Sequence, residues 1–240
     1  MRLAVKDILS AAYCSLAVYE SRTPEGLKIK NSRFLQDRST DTEYAIFHAD
    51  QTVIISIAGS DSWADWLSNL KIKTKACFGW LPAHRGFAGC AEAILTTCLK
   101  TVRAVPHKRI IVTGHSRGGA VAVLLAIGLQ ANLSDRVQRQ NIALVTFGQP
   151  RVSRKALINA AFTGPYFRVQ NGSDAVCRRP LFWYSHAGTN IYLRNGTGWC
   201  QDPGMVDQFT NRLFTWFHER ATDHSMTGYV RALIARGFTL

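Results

Sequence analysis

The sequence predicts an α/β domain with a mostly parallel central sheet flanked by helices. Four short runs are rich in β-branched and apolar residues, as strands buried on both faces of a sheet usually are. Helix-like stretches separate these runs, so strand and helix alternate along the chain. A chain of 240 residues, 47% of them hydrophobic, is long enough to bury the core of such a sheet. We expect one domain over residues 1–240.

The predicted elements begin with an amphipathic helix, because Leu3, Ile8, Leu9, Ala12 and Leu16 are spaced along one helical face. The predicted strands are TVIISIAG (Thr52–Gly59), RIIVTG (Arg109–Gly114), IALVTFG (Ile142–Gly148) and YFRVQNG (Tyr166–Gly172). The helical stretches between them are Gly86–Val105 and Arg117–Asn132, and Val206–Gly237 is predicted to be a loop followed by a closing helix.

The net charge of +13 is the unusual feature of the composition. It predicts attraction to anionic surfaces, such as phospholipid head groups or anionic polysaccharide. We expect no nucleic-acid partner, because the chain has no RNP-like motif, zinc finger or long Lys/Arg block. An anionic membrane surface is therefore a candidate partner.

The N-terminal residues do not resemble a secretion signal, because Asp7 interrupts their apolar stretch. The longest apolar run, Gly118–Leu129, is too short to span a bilayer and is typical of a buried helix. We therefore expect a cytoplasmic protein, or one exported by a route without a classical signal. Reduced thiols are then expected, and the six cysteines show no C-x-x-C spacing that would indicate zinc.

A serine between glycines stands where the second predicted strand meets the long helix. The stretch RIIVTGHSRGGAVAVLL sets Ser116 between Gly114 and the pair Gly118 and Gly119. In a sharp strand-to-helix turn, side chains at the flanking positions would collide with the adjacent backbone. Such a turn lifts the hydroxyl to the carboxyl end of the sheet, beside unpaired helix N–H groups that can hold an oxyanion. The pattern predicts a nucleophile at Ser116.

A nucleophilic serine needs a base and an acid that orients the base, and in this architecture the chain order is serine, then Asp or Glu, then histidine. Asp174 directly follows the strand YFRVQNG, so its carboxylate is expected at the same sheet edge as Ser116. Asp135 lies near the end of the preceding helix, and the later aspartates follow no predicted strand. We predict Asp174 as the acid.

Three histidines after Ser116 are candidates for the base. His224 lies in the polar loop ATDHSMTGYV before the final helix, where it can turn towards the serine without distorting the core. His218, in the aromatic stretch LFTWFHER, is expected to be structural, and His186 in YSHAGTN is the fallback. We predict His224 as the base.

Several segments resemble, in the same order, those of the class 3 or fungal-type lipases. TGHSRGGAVAVLLA resembles that family's nucleophile segment, TFGQPRVS the loop after it, FRVQNGSDAVCRRP the acid segment and DHSMTGY the histidine segment. The resemblance covers roughly Tyr44 to Tyr229 and implies the α/β-hydrolase fold. It further implies hydrolysis of lipid carboxylic esters through Ser116, His224 and Asp174, with an acyl-enzyme and with no cofactor or metal.

The resemblance also implies an oxyanion hole. ISIAGSDSWADWLSNL is similar to the strand that supplies the first donor, which assigns the role to the backbone N–H of Ser60. The second donor is the backbone N–H of Arg117, directly after the nucleophile. The segments HRGFAGCAEAI and YSHAGTNIYL resemble supporting parts of the family, which gives His84 and His186 structural roles.

Three positions depart from the family pattern. Ala58 stands where the family usually has arginine, Asn69 where it has aspartate, and Arg117 where leucine is common. The Arg117 amide can donate whatever its side chain is. A long cation beside the nucleophile favours anionic substrates or a pairing with a nearby carboxylate.

The segment after Ser60 carries Trp63, Trp66, Leu67 and Leu70 at the spacing of one helical face. In the family an amphipathic lid covers the site in this region. The alternative is an ordered helix that packs its tryptophans on the body of the protein.

The sequence leaves several functions open. A triacylglycerol lipase or esterase is the main prediction, and a lipid or other ester is the expected partner. The alternatives are a phospholipase A-type enzyme on anionic membrane lipids, which the charge favours, and a feruloyl-type esterase. A non-enzymatic binder of anionic polymers is a further class, against which an intact triad argues.

Overall fold

The computed structural model of the chain describes residues 4–59, 73–105, 108–134, 139–180, 184–194, 198–204 and 224–240. Its elements in chain order are α1 (Val5–Ala17), β1 (Asn31–Asp37), β2 (Thr42–His48), β3 (Thr52–Ile57), β4 (Thr74–Cys77), β5 (Leu81–His84), α2 (Arg85–Arg103), β6 (Arg109–His115), α3 (Arg117–Asn132), β7 (Ile142–Phe147), α4 (Lys155–Ala161), β8 (Tyr166–Asn171), the 3₁₀ turn Val176–Arg178, β9 (Thr189–Arg194), β10 (Gly198–Gln201) and α5 (Met226–Ile234).

An eight-stranded sheet organises these elements in the order β1-β2-β3-β6-β7-β8-β9-β10. Strands β3, β6, β7, β8 and β9 run parallel, while β1 and β2 on one side and β10 on the other pair antiparallel. The short β4–β5 hairpin stands apart from this sheet. The predicted mostly parallel sheet is confirmed, and the four predicted strands are β3, β6, β7 and β8.

One face of the sheet is covered by α2 and α3. Most of the α3 side chains are buried, which explains why its sequence is apolar on every side rather than along one stripe. The cluster on this face is built almost wholly from aliphatic and aromatic side chains of α2, α3 and the strands. Burial of this apolar surface holds the N-terminus of α3 against the ends of the strands.

The opposite face is covered by α1 and α5, which also pack on each other. The predicted N-terminal amphipathic helix is present as α1, with Ile8, Leu9, Ala12 and Cys14 buried. Polar groups occur within this layer, for example the Ser15 hydroxyl, which pairs with the Thr113 hydroxyl at 3.0 Å. This is the face that supplies most of the side chains of the candidate site.

Several expectations meet the limits of the described residues. The proposed lid over residues 61–70, Asn69 and His218 lie outside them. The prediction of one domain over residues 1–240 stays a prediction. Within the described helices, none combines the length and the apolar character that a bilayer crossing needs. All six cysteines lie in the described part of the chain as free thiols, five of them buried and Cys200 partly exposed.

Candidate active site

Ser116 occupies the turn between the end of β6 and the start of α3. Its backbone angles are φ 55° and ψ −127°, a conformation that non-glycine residues rarely adopt. The Ser116 N–H donates to the carbonyl of Phe147 on the neighbouring strand, at 2.9 Å. Packing on both sides therefore holds a strained serine at the carboxyl end of the parallel sheet.

The flanking glycines allow the backbone of this turn to close. A Cβ atom on Gly118 would lie 2.2 Å from the carbonyl oxygen of Ile57, and one on Gly114 would lie 2.5 Å from the Gly118 backbone. Contacts of this length with backbone atoms cannot be relieved by turning a side chain. The spacing of Gly114 and Gly118 around Ser116 is therefore required by close backbone approach, as the sequence predicts.

Ser116, His224 and Asp174 meet in one chain of hydrogen bonds. Nε2 of His224 lies 2.9 Å from Oγ of Ser116, and Nδ1 of His224 lies 2.8 Å from Oδ2 of Asp174. A carboxylate only accepts, so Nδ1 carries the proton and Nε2 is left to accept from the serine hydroxyl. All three residues are at most 3% exposed. The arrangement has the geometry of a nucleophile, a base and an orienting acid.

Asp174 lies in the loop after β8, where its carboxylate accepts three hydrogen bonds. The Tyr229 hydroxyl donates to Oδ2 at 2.6 Å, the Val176 N–H donates to Oδ1 at 2.9 Å, and His224 supplies the third. The Tyr229 hydroxyl itself accepts from the N–H of Asn171 at 3.1 Å. Every donor is placed by the protein, so the carboxylate has one preferred orientation.

His224 lies immediately before α5, whose N-cap Ser225 accepts a hydrogen bond from the Gly228 N–H. Gly148 lies beside the imidazole ring of His224. Its φ is +57°, and a Cβ there would lie 3.0 Å from Nδ1 of His224. Gly148 therefore provides both the left-handed turn after β7 and the space in which the imidazole of His224 packs.

A second histidine, His115, lies directly behind the base. Its ring centroid is 4.7 Å from that of His224, and its Nε2 donates to the backbone carbonyl of His224 at 2.6 Å. Burial, together with the neighbouring His224, lowers the pKa of His115 to about 3. His115 is therefore neutral at neutral pH and serves as a hydrogen-bonding support.

The sequence reasoning did not assign a role to His115 or Tyr229. A signal for Tyr229 was present, since it follows His224 within the segment DHSMTGY at the start of α5. His115 directly precedes Ser116 at the end of β6, and no local pattern gives it a role. The sequence did not indicate the partners of these side chains. Tyr229 and Asp174 are separated by 55 positions, and His115 and His224 by 109.

The remaining predicted site residues have mixed outcomes. Arg117 begins α3, so its amide is among the N–H groups that a helix N-terminus leaves without an intrahelical partner. The Arg117 guanidinium donates to the backbone carbonyl of Asp41 at 2.8 Å rather than to a carboxylate. Ser60 lies outside the described residues.

Two other histidines singled out in the sequence lie away from the triad geometry. Nε2 of His186 donates to the carbonyl of Cys177 at 2.5 Å, and burial holds the pKa of His186 well below its ordinary value. His84 is buried with its ring centroid 4.4 Å from that of Phe87. Among the described residues, no group of three or more His, Cys, Asp and Glu side chains is arranged to hold a metal ion.

Comparison with known proteins gives a consistent result. The model of the family "Lipase (class 3)" matches residues 54–183. A lipase of Rhizomucor miehei is 30% identical over 201 residues, which cover 80% of this chain and 54% of that protein. A secreted mono- and diacylglycerol lipase of Fusarium solani is 31% identical over 159 residues, 62% of this chain and 46% of the relative. The chain thus spans about half the length of these relatives.

A solved structure extends the likeness to three dimensions. A triacylglycerol lipase, described as having a serine protease triad as its catalytic centre, superposes with a TM-score of 0.61 at 25% identity. The superposition covers 80% of this chain and 78% of that one. The α/β-hydrolase fold implied by the sequence resemblance is confirmed.

The expectation of a cytoplasmic location is wrong. The Fusarium solani relative is by name a secreted lipase, and relatives of this kind point to export. The expectation rested on the charged residue Asp7 within an apolar N-terminal stretch. That stretch forms α1, with Asp7 buried and its Oδ2 2.8 Å from Arg109. These residues thus form part of the fold, and Asp7 has a structural partner there.

Proposed function

Because the chain belongs to the class 3 lipase family, we propose that it is a carboxylic-ester hydrolase that acts on lipid esters. The observation that carries the proposal is the continuous hydrogen-bond chain from Ser116 through His224 to Asp174, at 2.9 and 2.8 Å. These three side chains are buried at the carboxyl end of the parallel strands. Ser116 also lies directly before the N-terminus of α3. The lipase names of the relatives support a lipid ester as the substrate.

In the acylation step, Oγ of Ser116 attacks the ester carbonyl while Nε2 of His224 takes its proton. Asp174 holds the imidazole in the tautomer that accepts this proton and stabilises the resulting imidazolium. The carbonyl oxygen becomes an oxyanion, held by the amide of Arg117 at the start of α3 and by the amide of Ser60. The role of Ser60 rests on the family resemblance alone.

The tetrahedral intermediate then collapses. His224 returns its proton to the leaving alcohol, and the acyl group stays on Ser116 as an ester. Water enters, gives a proton to Nε2 of His224 and attacks the acyl carbonyl, after which the acid leaves and Ser116 is restored. Each step uses side chains of this protein and water, so it needs no metal or cofactor.

A second candidate function is hydrolysis of anionic phospholipids. The net charge of +13 attracts anionic membranes, and Arg117 carries a cation directly beside the nucleophile. The Arg117 guanidinium donates to the Asp41 carbonyl, a neutral partner that leaves its charge uncompensated by that contact. An anionic membrane surface is accordingly the proposed partner for either function, and no nucleic-acid partner is proposed.

The test is an ester panel on the purified protein. Triacylglycerol emulsions, short p-nitrophenyl esters, and vesicles of phosphatidylglycerol or phosphatidylcholine are compared for the wild type, Ser116→Ala and Arg117→Leu. Ser39→Ala, at an exposed serine of the β1–β2 turn, is the matched control. We expect turnover of acylglycerols by the wild type and by the control, and a loss of about 10⁴-fold or more in Ser116→Ala.

The outcomes separate the candidates. Faster release of fatty acid from phosphatidylglycerol than from acylglycerols, reduced in Arg117→Leu, supports the phospholipase alternative. Equal relative rates in Arg117→Leu and the wild type remove the role of that cation. Retention of appreciable activity by folded Ser116→Ala contradicts the proposed function itself.

A further inference from the structure

The hydroxyl of Tyr19 joins two parts of the candidate site that are distant in sequence. Tyr19 follows the end of α1, and its hydroxyl lies 2.8 Å from the backbone N of Gly59 and 2.8 Å from Nδ1 of His115. His115 in turn reaches the backbone carbonyl of His224 at 2.6 Å. One hydrogen-bond chain therefore runs from the end of β3 to the residue that carries the base.

The direction of each hydrogen bond follows from the chemistry of its ends. The His224 carbonyl can only accept, so Nε2 of His115 carries a proton. Burial lowers the pKa of His115 to about 3, so the ring is neutral and Nδ1 is an acceptor. The Tyr19 hydroxyl donates to Nδ1, and its oxygen accepts from the Gly59 N–H. Every polar atom in this chain has a partner of the right kind.

The Tyr19 hydroxyl packs closely against Gly59. A Cβ on Gly59 would lie 2.3 Å from the Tyr19 oxygen, 3.0 Å from the His115 carbonyl oxygen and 3.1 Å from Cβ of Ser116. The tyrosine oxygen thus fills the space that a side chain at position 59 would need. Gly59 also directly precedes Ser60, the residue proposed to give an oxyanion donor.

We propose that Tyr19 and His115 are positioning residues that fix the end of β3 and the backbone of His224 relative to Ser116. The inference rests on the proposed function and names a part of its machinery that no sequence motif indicated. Neither side chain contacts substrate in this proposal. They act through the Gly59 amide, which lies at the end of β3, and through the His224 carbonyl, which orients the base.

The expected effect is on turnover rather than on binding. In Tyr19→Phe the ring still packs, but the Gly59 N–H and Nδ1 of His115 both lose their partner. Small displacements of positioned groups cost up to about 10²-fold in rate. We expect kcat on a soluble ester to fall about 10- to 100-fold, while KM stays within about twofold of the wild-type value.

Tyr13→Phe is the matched control. Tyr13 lies on α1, six residues before Tyr19, and packs against the same core cluster. The substitution therefore removes a nearby hydroxyl without changing the hydrogen bonds to Gly59 and His115. We expect it to leave kcat and KM unchanged. Urea unfolding of each variant separates loss of stability from loss of turnover in the folded enzyme.

His115→Gln and the double variant complete the test. Because Tyr19 and His115 act in one hydrogen-bond chain, their effects should not add. We expect the kcat of the double variant to lie only slightly below that of the less active single variant. Independent, multiplicative losses overturn the coupling. A folded Tyr19→Phe protein with wild-type kcat, or one in which only stability or KM changes, overturns the inference. The proposed function stands in that case, provided that the wild type hydrolyses the ester. A wild type that turns over no ester overturns both.

Discussion

The two faces of the sheet hold the two halves of the site by different means. On the α2–α3 side, Ser116 is placed by backbone contacts, with Gly118 packed against Ile57 and Ala58 and Gly114 packed against Gly118. On the α1–α5 side, His224 is placed by a series of side-chain hydrogen bonds to residues such as Asp174 and His115. The nucleophile thus depends on close packing, and the base depends on polar contacts within a buried layer.

Because of this difference, we expect substitutions on the two sides to have different effects on stability and on turnover. At Gly118 an added Cβ would lie 2.2 Å from a backbone oxygen, so there is no space for a methyl group and a change there affects folding. A side-chain hydrogen bond can be removed with little change of shape, so a change there affects orientation and turnover. We therefore expect the α2–α3 side to respond in stability and the α1–α5 side to respond mainly in kcat and in pH dependence.

The largest expected effect is that of Gly118→Ala. The new Cβ would lie 2.2 Å from the Ile57 carbonyl oxygen and 2.5 Å from that of Ala58, and neither backbone group can turn away. We expect a loss of about 4 kcal/mol or more in the free energy of unfolding, measured with urea.

Gly89→Ala is the control for that change. Gly89 lies within α2, and a Cβ there would meet nothing within 4 Å. Alanine is favoured over glycine inside a helix, so a gain of about 0.5–1 kcal/mol is expected. A Gly118→Ala protein as stable as the wild type would contradict the backbone half of the comparison.

The second effect is a pH dependence of stability due to His115. Because burial lowers its pKa from the ordinary value of 6.5 to about 3, the folded protein keeps the ring neutral while the unfolded chain binds a proton. The buried, neutral ring therefore contributes fully to the free energy of unfolding above pH 6.5. This contribution is lost as the pH falls towards 3, by about 1.4 kcal/mol per pH unit.

Urea unfolding at pH 7 and pH 4 measures this contribution. We expect the wild type to lose about 3 kcal/mol more over this range than His115→Gln, since the other titrating groups are common to both. Groups that face the ring include His224, Tyr19 and Tyr229. Equal losses in the two proteins would show that His115 is protonated or exposed in the folded state.

The smallest expected effect belongs to Tyr229→Phe. The change removes the donor 2.6 Å from Oδ2 of Asp174 but keeps the aromatic packing. We expect kcat to fall about tenfold, equivalent to about 1.4 kcal/mol of transition-state stabilisation.

Tyr166→Phe is the partner measurement on the other face. Its hydroxyl is also buried and donates to Gln149 at 2.6 Å, but it lies in the α2–α3 cluster. A loss of about 1 kcal/mol in stability with unchanged kcat is expected there. If both tyrosine variants lose kcat equally, the two faces do not differ in the way described.

The sequence predicted much of the fold and of the triad geometry because both depend on local patterns. Continuous apolar runs identified β3, β6, β7 and β8, and the glycines around Ser116 identified the turn between β6 and α3. Strands β1, β2, β9 and β10 were not predicted. In the edge strands β1 and β10, exposed residues interrupt the apolar pattern.

The supporting residues were beyond local reasoning. Tyr19 and His115 are 96 positions apart, and nothing in the residues around Tyr19 indicates that its hydroxyl lies behind the turn between β6 and α3. The same holds for the contact between Arg117 and the Asp41 carbonyl, 76 positions away. Pairings of this kind depend on how helices pack across the sheet, which only the three-dimensional structure supplies.

The central claim is that His224 activates the hydroxyl of Ser116 for attack on an electrophilic ester. The most direct measurement is the mass of the intact protein and of its peptides after reaction with a p-nitrophenyl phosphonate. We predict a single adduct on the peptide that contains Ser116, forming at least about 10³-fold more slowly in His224→Ala. An adduct on a different serine, or equal labelling of the wild type and His224→Ala, would contradict the claim.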